Sequence, residues 1–126
     1  MKNTILIVED EEGQLEALAN ILSAAGFSVL QAKDGASGFA SALAQRPDLI
    51  LVDIKMPEMS GFQMTKKLRA SGDWGRGVPV IYLTNIPITD DAVRMDIENT
   101  EPVYYLIKSD VEFDDLIEKI RKQIGE

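Results

Sequence analysis

The sequence predicts an α/β fold: a doubly wound, five-stranded parallel sheet with helices on both of its faces. Five short apolar runs alternate with segments whose apolar residues recur at helical spacing, which is typical of parallel sheets with right-handed crossovers. Three of the runs are continuous and rich in isoleucine, leucine and valine, as expected for strands covered on both faces. The chain has 126 residues, which suits one domain, so residues 1–126 are expected to form a single unit.

The five predicted strands follow the apolar runs. The first, third and fourth are the continuous runs and are expected to be buried on both faces. The second is interrupted by polar residues, as an edge strand would be. The predicted strands cover residues 5–8, 27–30, 49–52, 80–83 and 103–107.

Five helices are predicted from stripes of apolar residues spaced three or four apart. The third is expected to begin near Ser60, and the fourth, whose stripe is weakest, near Thr89. Residues that commonly stop a helix follow the first four stripes, namely Gly26, Pro47, Gly72 and Pro102. The stripes are Leu15, Leu18, Ala19 and Leu22; Phe39, Ala42 and Leu43; Met64 and Leu68; Val93 and Ile97; and Leu116, Ile117, Ile120 and Ile124.

Residues 72–79 fit neither pattern. They contain three glycines and one proline, and we expect them to form an enlarged loop before the fourth strand. Trp74 in this segment either caps a small surface cluster or serves as a contact residue.

Composition excludes several classes of chemistry. The chain has no cysteine and no histidine, which rules out disulfides, thiolate or imidazole metal sites and serine-histidine triads. The formal net charge of −8 argues against direct binding to nucleic acid or to an anionic membrane. No apolar run approaches the length of a membrane span, and the polar start is too short for a secretory signal. We therefore expect a cytoplasmic protein.

Polar side chains follow four of the predicted strands. Glu9 and Asp10 follow the first, Asp53 the third, Thr84 the fourth and Lys108 the fifth. In an open α/β sheet, ligands bind outside the carboxyl ends of the strands, near the point where the strand order reverses. Asp10 and Asp53 are expected to lie a few ångströms apart, where two carboxylates repel unless a cation is present. Oxygen ligands favour Mg²⁺ for that cation.

Such a site is suited to phosphoryl transfer. A carboxylate nucleophile beside Mg²⁺ can form an acyl phosphate. Lys108 and the metal would neutralise the phosphoryl oxygens, and Thr84 would donate a hydrogen bond to one of them. The spacing therefore predicts that Asp53 accepts a phosphoryl group.

Each residue also has a purely structural interpretation. The acids at 9–12 suit the first turn of a helix, where they complement its dipole. Asp53 suits a turn before Pro57, Thr84 a capping hydroxyl and Lys108 a solvated surface. The placement of all four at strand ends favours the phosphoryl site over these separate explanations.

The residues, in their order and spacing, resemble the receiver domain of two-component response regulators. The resemblance covers essentially the whole chain and implies the flavodoxin-like strand order 2-1-3-4-5. The matching segments are ILIVEDE at residues 5–11, LVDIKMP at residues 51–57 followed by Gly61, YLT at residues 82–84 and YLIK at residues 105–108.

The resemblance implies a role for each residue of the metal site. Asp53 is the phosphoacceptor and Asp10 the direct Mg²⁺ ligand. Glu9 assists through water, and the backbone carbonyl of Lys55 is a further ligand, so the Lys55 side chain is not itself required.

It also implies a switch. Thr84 is the switch hydroxyl, Lys108 pairs with the phosphoryl group, and Tyr105 is the switch aromatic that turns inward when Thr84 moves. An ordinary sheet-edge aromatic is the alternative for Tyr105. The implied phosphodonor is a sensor histidine kinase or a phosphotransfer protein. The output partner is unknown, and a phosphorylation-dependent dimer fits the resemblance.

The chain departs from the family pattern in three places. Ser109 replaces the usual proline after the lysine, so a trans peptide is expected there. Asn85 replaces a small residue and is expected to crowd the entry to Asp53. Residues 100–102, Thr-Glu-Pro, replace the usual Gly-Ala-Asp, which suggests a short, mobile or specialised output face formed by the predicted fourth helix, fifth strand and last helix.

Two other functions were considered. A phosphatase with an aspartyl intermediate needs a second acid two residues after the nucleophile, where Lys55 stands. A degenerate receiver that only docks partners has no need of Asp10, Asp53, Thr84 and Lys108, all of which are present. The prediction is thus a signalling switch and not an enzyme with separate substrates, either alone or as one domain of a larger protein.

Overall fold

The structure, a computed structural model, describes residues 3–125. These form a sheet of five parallel strands in the order β2-β1-β3-β4-β5. The strands are β1 (Thr4–Val8), β2 (Ser28–Ala32), β3 (Leu49–Val52), β4 (Val80–Thr84) and β5 (Tyr104–Ile107). The helices are α1 (Glu12–Ala24), α2 (Gly35–Gln45), α3 (Gly61–Arg69), α4 (Asp73–Gly77), α5 (Asp91–Thr100) and α6 (Phe113–Ile124). The predicted fold class and strand order are confirmed.

Apolar residues of β1 alternate between two cores, one on each face of the sheet. Ile5 and Ile7 pack with α1 and α6, whereas Leu6 and Val8 pack with α2 and α3. All four are essentially inaccessible to solvent. Each buried side chain of this size contributes roughly 1.5–3 kcal/mol relative to exposure, so the strand is fixed in register from both sides.

The register of the central strands places the polar residues that follow them. Val8 lies opposite Val52, and the amide of Asp53 donates to the carbonyl of Val8 at 3.0 Å. Because both strands end there, Glu9 and Asp53 leave the sheet side by side at its carboxyl edge.

Helix α2 differs from its predicted apolar stripe. Leu43 was expected to face the core, but it is 40% exposed. The buried residues are instead Gly35, Gly38 and Ala42. A Cβ at Gly38 would lie 2.9 Å from the Val8 side chain, so small residues allow this helix to approach the sheet closely.

The loop predicted over residues 72–79 is wrong in part, because Asp73–Gly77 form the short helix α4. The Arg69 guanidinium stabilises this segment by donating to the carbonyls of Gly75 at 2.9 Å and Val78 at 2.7 Å. Trp74 is half-buried against the core, with the guanidinium carbon of Arg46 5.8 Å from its ring centroid. This packing agrees with a surface-cluster cap.

The predicted fourth helix is α5, and it is less buried than α6. Asp90 caps it by accepting from the amide of Val93 at 2.9 Å. Val93 and Ile97 are only half-buried, and Thr100 is its one fully buried residue.

Within residues 3–125, no helix is both long and apolar enough to cross a membrane.

Candidate functional site

Three carboxylates meet at the carboxyl edge of the sheet. Ligand oxygens of Glu9, Asp10 and Asp53 all lie within 4.8 Å of one another. Glu9 and Asp53 are buried, with 2% and 8% of their surface exposed, whereas Asp10 is open to solvent. The convergence expected from the strand ends is therefore present in the structure.

The two buried carboxylates are held in matching ways. One oxygen of each accepts from a backbone amide: Asp53 Oδ1 from Ile54 at 2.7 Å and Glu9 Oε2 from Glu11 at 3.1 Å. The other oxygen of each accepts from the Lys108 ammonium, at 2.9 Å for Asp53 and 2.6 Å for Glu9. All four oxygens thus have hydrogen-bond partners, so both carboxylates are fixed in orientation.

Lys108 reaches the site from the end of β5. Its amide donates to the carbonyl of Thr84 at 2.8 Å, which anchors the residue beside β4. Burial alone would lower the pKa of the Lys108 ammonium, but its hydrogen bonds to Glu9 and Asp53 outweigh that effect and raise the pKa. Burial raises the pKa of the Glu9 carboxyl, and the hydrogen bond from Lys108 only partly offsets this. The ammonium is therefore a permanent positive charge within the acid cluster.

Gln14 also contacts the ammonium, and sequence reasoning missed it. Its Oε1 accepts from Lys108 Nζ at 2.5 Å. The one available signal was its position in the first turn of α1, just after the acidic segment. An amide there has many structural explanations, so the sequence alone did not single it out.

The chemistry of this cluster fits a hard divalent cation. Its carboxylates offer only oxygen ligands, and one of them, Asp10, faces solvent, as retained metal waters require. Three carboxylates and one ammonium leave two negative charges in the cluster. The Lys55 side chain is exposed, and the role expected for its carbonyl stays a prediction.

Thr84 and Tyr105 are both hydrogen-bonded to the backbone of Ile86, and neither contacts Asp53 through a hydrogen bond in the described residues. Thr84 is fully buried, and its hydroxyl accepts from the amide of Ile86 at 3.3 Å. The Tyr105 hydroxyl donates to the carbonyl of the same residue at 2.6 Å. Burial, with a smaller contribution from the Asp53 charge, raises the pKa of the Tyr105 phenol. One backbone unit therefore connects the two predicted switch residues.

Two of the expected departures can be located. The peptide bond before Ser109 is trans, as predicted. Asn85 is exposed and lines a groove of about 310 Å³ between α1 and the segment after β5. Gln14 and Lys108 line the same groove, so Asn85 stands at an approach to the ammonium. Its effect on access to Asp53 stays a prediction.

Known proteins with similar sequences are response regulators. The family model described as response regulator receiver domain matches residues 5–121. The polar-differentiation response regulator DivK of Brucella anthropi is 35% identical over 95 residues, which cover 75% of this chain and 76% of DivK. TcrX of Mycobacterium tuberculosis, a probable transcriptional regulatory protein, is 36% identical over 90 residues, 71% of this chain and 37% of TcrX.

Solved structures give the same result. The receiver domain of sensor histidine kinase PA1611 from Pseudomonas aeruginosa PAO1, with a magnesium ion coordinated in its active site cleft, is 30% identical. It covers 100% of both chains with a TM-score of 0.86. A CheY-like receiver domain protein from Methanospirillum hungatei is 27% identical with a TM-score of 0.86, covering 98% of this chain and 94% of its own. The chain belongs to the response regulator receiver domain family.

Proposed function

We propose that this receiver domain is a phosphorylation-controlled switch in which Asp53 accepts a phosphoryl group. The observation that carries this proposal is the Lys108 ammonium, which bonds both Glu9 and Asp53 beside the exposed carboxylate of Asp10. Three acids beside one half-buried ammonium offer a nucleophile together with groups that can bind metal and neutralise phosphoryl oxygens.

The reaction is a transfer from phosphohistidine on a sensor kinase or phosphotransfer protein. A carboxylate oxygen of Asp53 attacks phosphorus while the bond from phosphorus to the histidine nitrogen breaks. The electron pair of that bond stays on the imidazole, and Asp53 becomes an aspartyl phosphate. Hydrolysis restores the free Asp53 carboxylate: water attacks phosphorus, the bond from phosphorus to the Asp53 oxygen breaks, and inorganic phosphate leaves. The domain catalyses only these two reactions on itself.

The carboxylate cluster is the proposed Mg²⁺ site. Asp10 and Asp53 would be direct ligands, Glu9 would bind through water, and the backbone carbonyl of Lys55 would complete the protein ligands. When bound, Mg²⁺ supplies positive charge that offsets the charge on the phosphoryl oxygens. Lys108 adds a second positive charge, and its contact with Asp53 at 2.9 Å places that charge at the reacting carboxylate.

Thr84 and Tyr105 are the proposed switch. After transfer, the Thr84 hydroxyl donates to a phosphoryl oxygen and gives up the amide of Ile86. Because Ile86 also holds the Tyr105 hydroxyl, movement of this backbone unit reaches β5. The sparsely buried helix α5 then changes its position on the face that it forms with β5 and α6, where an output partner or a second copy would bind.

The family match over residues 5–121 supports one receiver domain across residues 1–126, and a kinase donor supports a cytoplasmic location. The test is incubation with Mg²⁺ and acetyl phosphate, followed by intact mass measurement. We expect one acid-labile phosphoryl adduct that is absent from Asp53→Asn and absent without Mg²⁺. An adduct that persists in Asp53→Asn would place the acceptor elsewhere, and an unmodified wild-type protein would leave only a docking role.

A further inference from the structure

Lys108 uses every donor that it has. A lysine ammonium carries three N–H donors and no acceptor. In this structure, those donors reach Glu9 Oε1 at 2.6 Å, Asp53 Oδ2 at 2.9 Å and Gln14 Oε1 at 2.5 Å. Gln14 is the neutral member of this set and comes from α1, not from the end of a strand.

The two charged acceptors both belong to the proposed metal site, Asp53 as a direct ligand and Glu9 through water. Glu9 and Asp53 belong to the carboxylate cluster, and their remaining oxygens already accept from the amides of Glu11 and Ile54. A cation bound there would share these two carboxylates with Lys108, since each has one oxygen that the ammonium does not contact. Gln14 offers an amide oxygen outside that cluster, so this contact does not involve an atom that the metal would bind.

Gln14 is well placed to act as a fixed support. Its backbone amide donates to the Glu11 carboxylate at 2.7 Å in the N-terminal cap of α1. The next residue, Leu15, is buried in the core beneath the helix. The Gln14 backbone is therefore held on two sides, and from it the exposed side chain reaches the ammonium.

We propose that Gln14 is a positioning residue that keeps the Lys108 ammonium beside Asp53 when metal occupies the carboxylate oxygens. This inference rests on the proposed function, because it concerns the charge that meets the incoming phosphoryl group. Without the amide oxygen, the ammonium loses its one acceptor outside the proposed metal site, and with metal bound to Asp53 it spends more time in solvent.

The test uses Gln14→Met, which keeps the length of the side chain and removes the acceptor. At saturating Mg²⁺, we expect the rate constant for phosphorylation by acetyl phosphate to fall about three- to tenfold, the effect of losing one hydrogen bond of ordinary net strength. The affinity for beryllofluoride, measured by fluorine-19 NMR, should fall by a similar factor. Asn20→Leu, which removes an exposed amide from the same helix, is the matched control and should change neither value.

A double-mutant cycle with Lys108→Met shows whether Gln14 acts through the lysine. The Gln14→Met effect on beryllofluoride affinity should disappear in the Lys108→Met background. The positioning role would be overturned if Gln14→Met lowered beryllofluoride affinity equally in both backgrounds, or did not lower it when Lys108 is intact. Either result would leave phosphorylation of Asp53 unaffected as a proposal. A wild-type protein that accepts no phosphoryl group would instead overturn the proposed function, and this inference with it.

The ammonium itself gives a second, direct measurement. In nitrogen-15 NMR spectra, the Lys108 ammonium signal should persist in the wild type on addition of Mg²⁺, because one acceptor remains. In Gln14→Met it should be visible without metal and broaden by exchange with water when Mg²⁺ is added. Signals with the same Mg²⁺ response in both proteins would contradict the proposal.

Discussion

The hydroxyl of Tyr105 donates a 2.6 Å hydrogen bond to the backbone carbonyl of Ile86, so the phenol is tied to the loop that follows Thr84. The ring also packs edge-to-face against Tyr82, with centroids 5.9 Å apart. Tyr105 is thus already partly inward, and the switch would alter a bond that is present rather than create one from a solvated side chain.

Tyr105→Phe removes this bond and keeps the ring. We expect the free energy of unfolding to fall by about 1 kcal/mol, the usual net value of one hydrogen bond, as measured by urea denaturation with circular dichroism. Tyr104→Phe, at the neighbouring position whose ring lies near Lys119, is the control and should change stability less. Phosphorylation at Asp53 should persist in both variants. Equal stability of the two variants would show that the bond to Ile86 contributes nothing.

Tyr82→Phe should change the free energy of unfolding in the opposite direction and stabilise the protein. The Tyr82 hydroxyl is fully buried and has no hydrogen-bond partner in the described part of the chain. The hydroxyls of Thr65 and Thr100 donate to backbone carbonyls of their own helices, each at 2.7 Å. An unpaired buried hydroxyl costs free energy, so its removal should raise the free energy of unfolding by about 1 kcal/mol. A loss of stability would indicate a partner such as a bound water.

The same residue predicts a pH dependence. Burial raises the pKa of the Tyr82 phenol above its ordinary value, so the folded state favours the neutral form. The resulting stability is fully present below the unfolded pKa of about 10. It is lost as the pH rises through the higher folded-state value. Thermal unfolding across pH 9–11, on the order of this window, should therefore show a steeper alkaline loss for wild type than for Tyr82→Phe. Parallel curves would contradict this.

Lys108→Met should bind Mg²⁺ more tightly than the wild type. The ammonium holds one oxygen of Glu9 and one of Asp53, and a metal bound to Asp53 must compete with its positive charge. Without that competitor, we expect the Mg²⁺ dissociation constant to fall about tenfold, or ~1.4 kcal/mol, by isothermal titration calorimetry. Phosphorylation should nonetheless slow, because the second positive charge is gone. Weaker Mg²⁺ binding would mean that Lys108 orders the carboxylates more than it competes for them.

Gly61→Ala tests how closely α3 approaches the site. A Cβ at Gly61 would overlap the backbone carbonyl oxygen of Asp53. We expect a loss of about 1–3 kcal/mol in the free energy of unfolding, typical of overpacking, together with slower phosphorylation. Gly77→Ala is the matched control, since a Cβ there meets no described atom within 4 Å. Normal phosphorylation in Gly61→Ala would show that the Asp53 backbone can shift without consequence.

Much of the fold could be predicted because local patterns and tertiary packing agree. The continuous apolar runs became the buried strands, and the stripe of Leu116, Ile120 and Ile124 became the buried side of α6. The prediction that Leu43 is buried was wrong, because close packing of Gly38 against the sheet determines which side of α2 faces inward. The helix at Asp73–Gly77 was missed because its support comes from Arg69, outside the segment.

The site was predictable to the extent that strand ends determine it. Glu9, Asp53 and Lys108 each directly follow a strand, so the order of the sheet brings them together. Gln14 lies within a helix and reaches the site only through its side chain, which local sequence does not indicate. The bond that joins Tyr105 to Ile86 likewise depends on a loop conformation that no pattern predicted.

The position of Trp74 has a practical consequence. It is the only tryptophan of the chain, and it precedes β4, at the amino end of the sheet, beside Arg46 and against the core. The carboxylate cluster lies at the opposite edge. The intrinsic fluorescence of Trp74 should therefore report global unfolding and change little when Mg²⁺ or beryllofluoride binds. It can be used to measure stability in the presence of either ligand. An optical reporter of activation has to be introduced near residues 85–88.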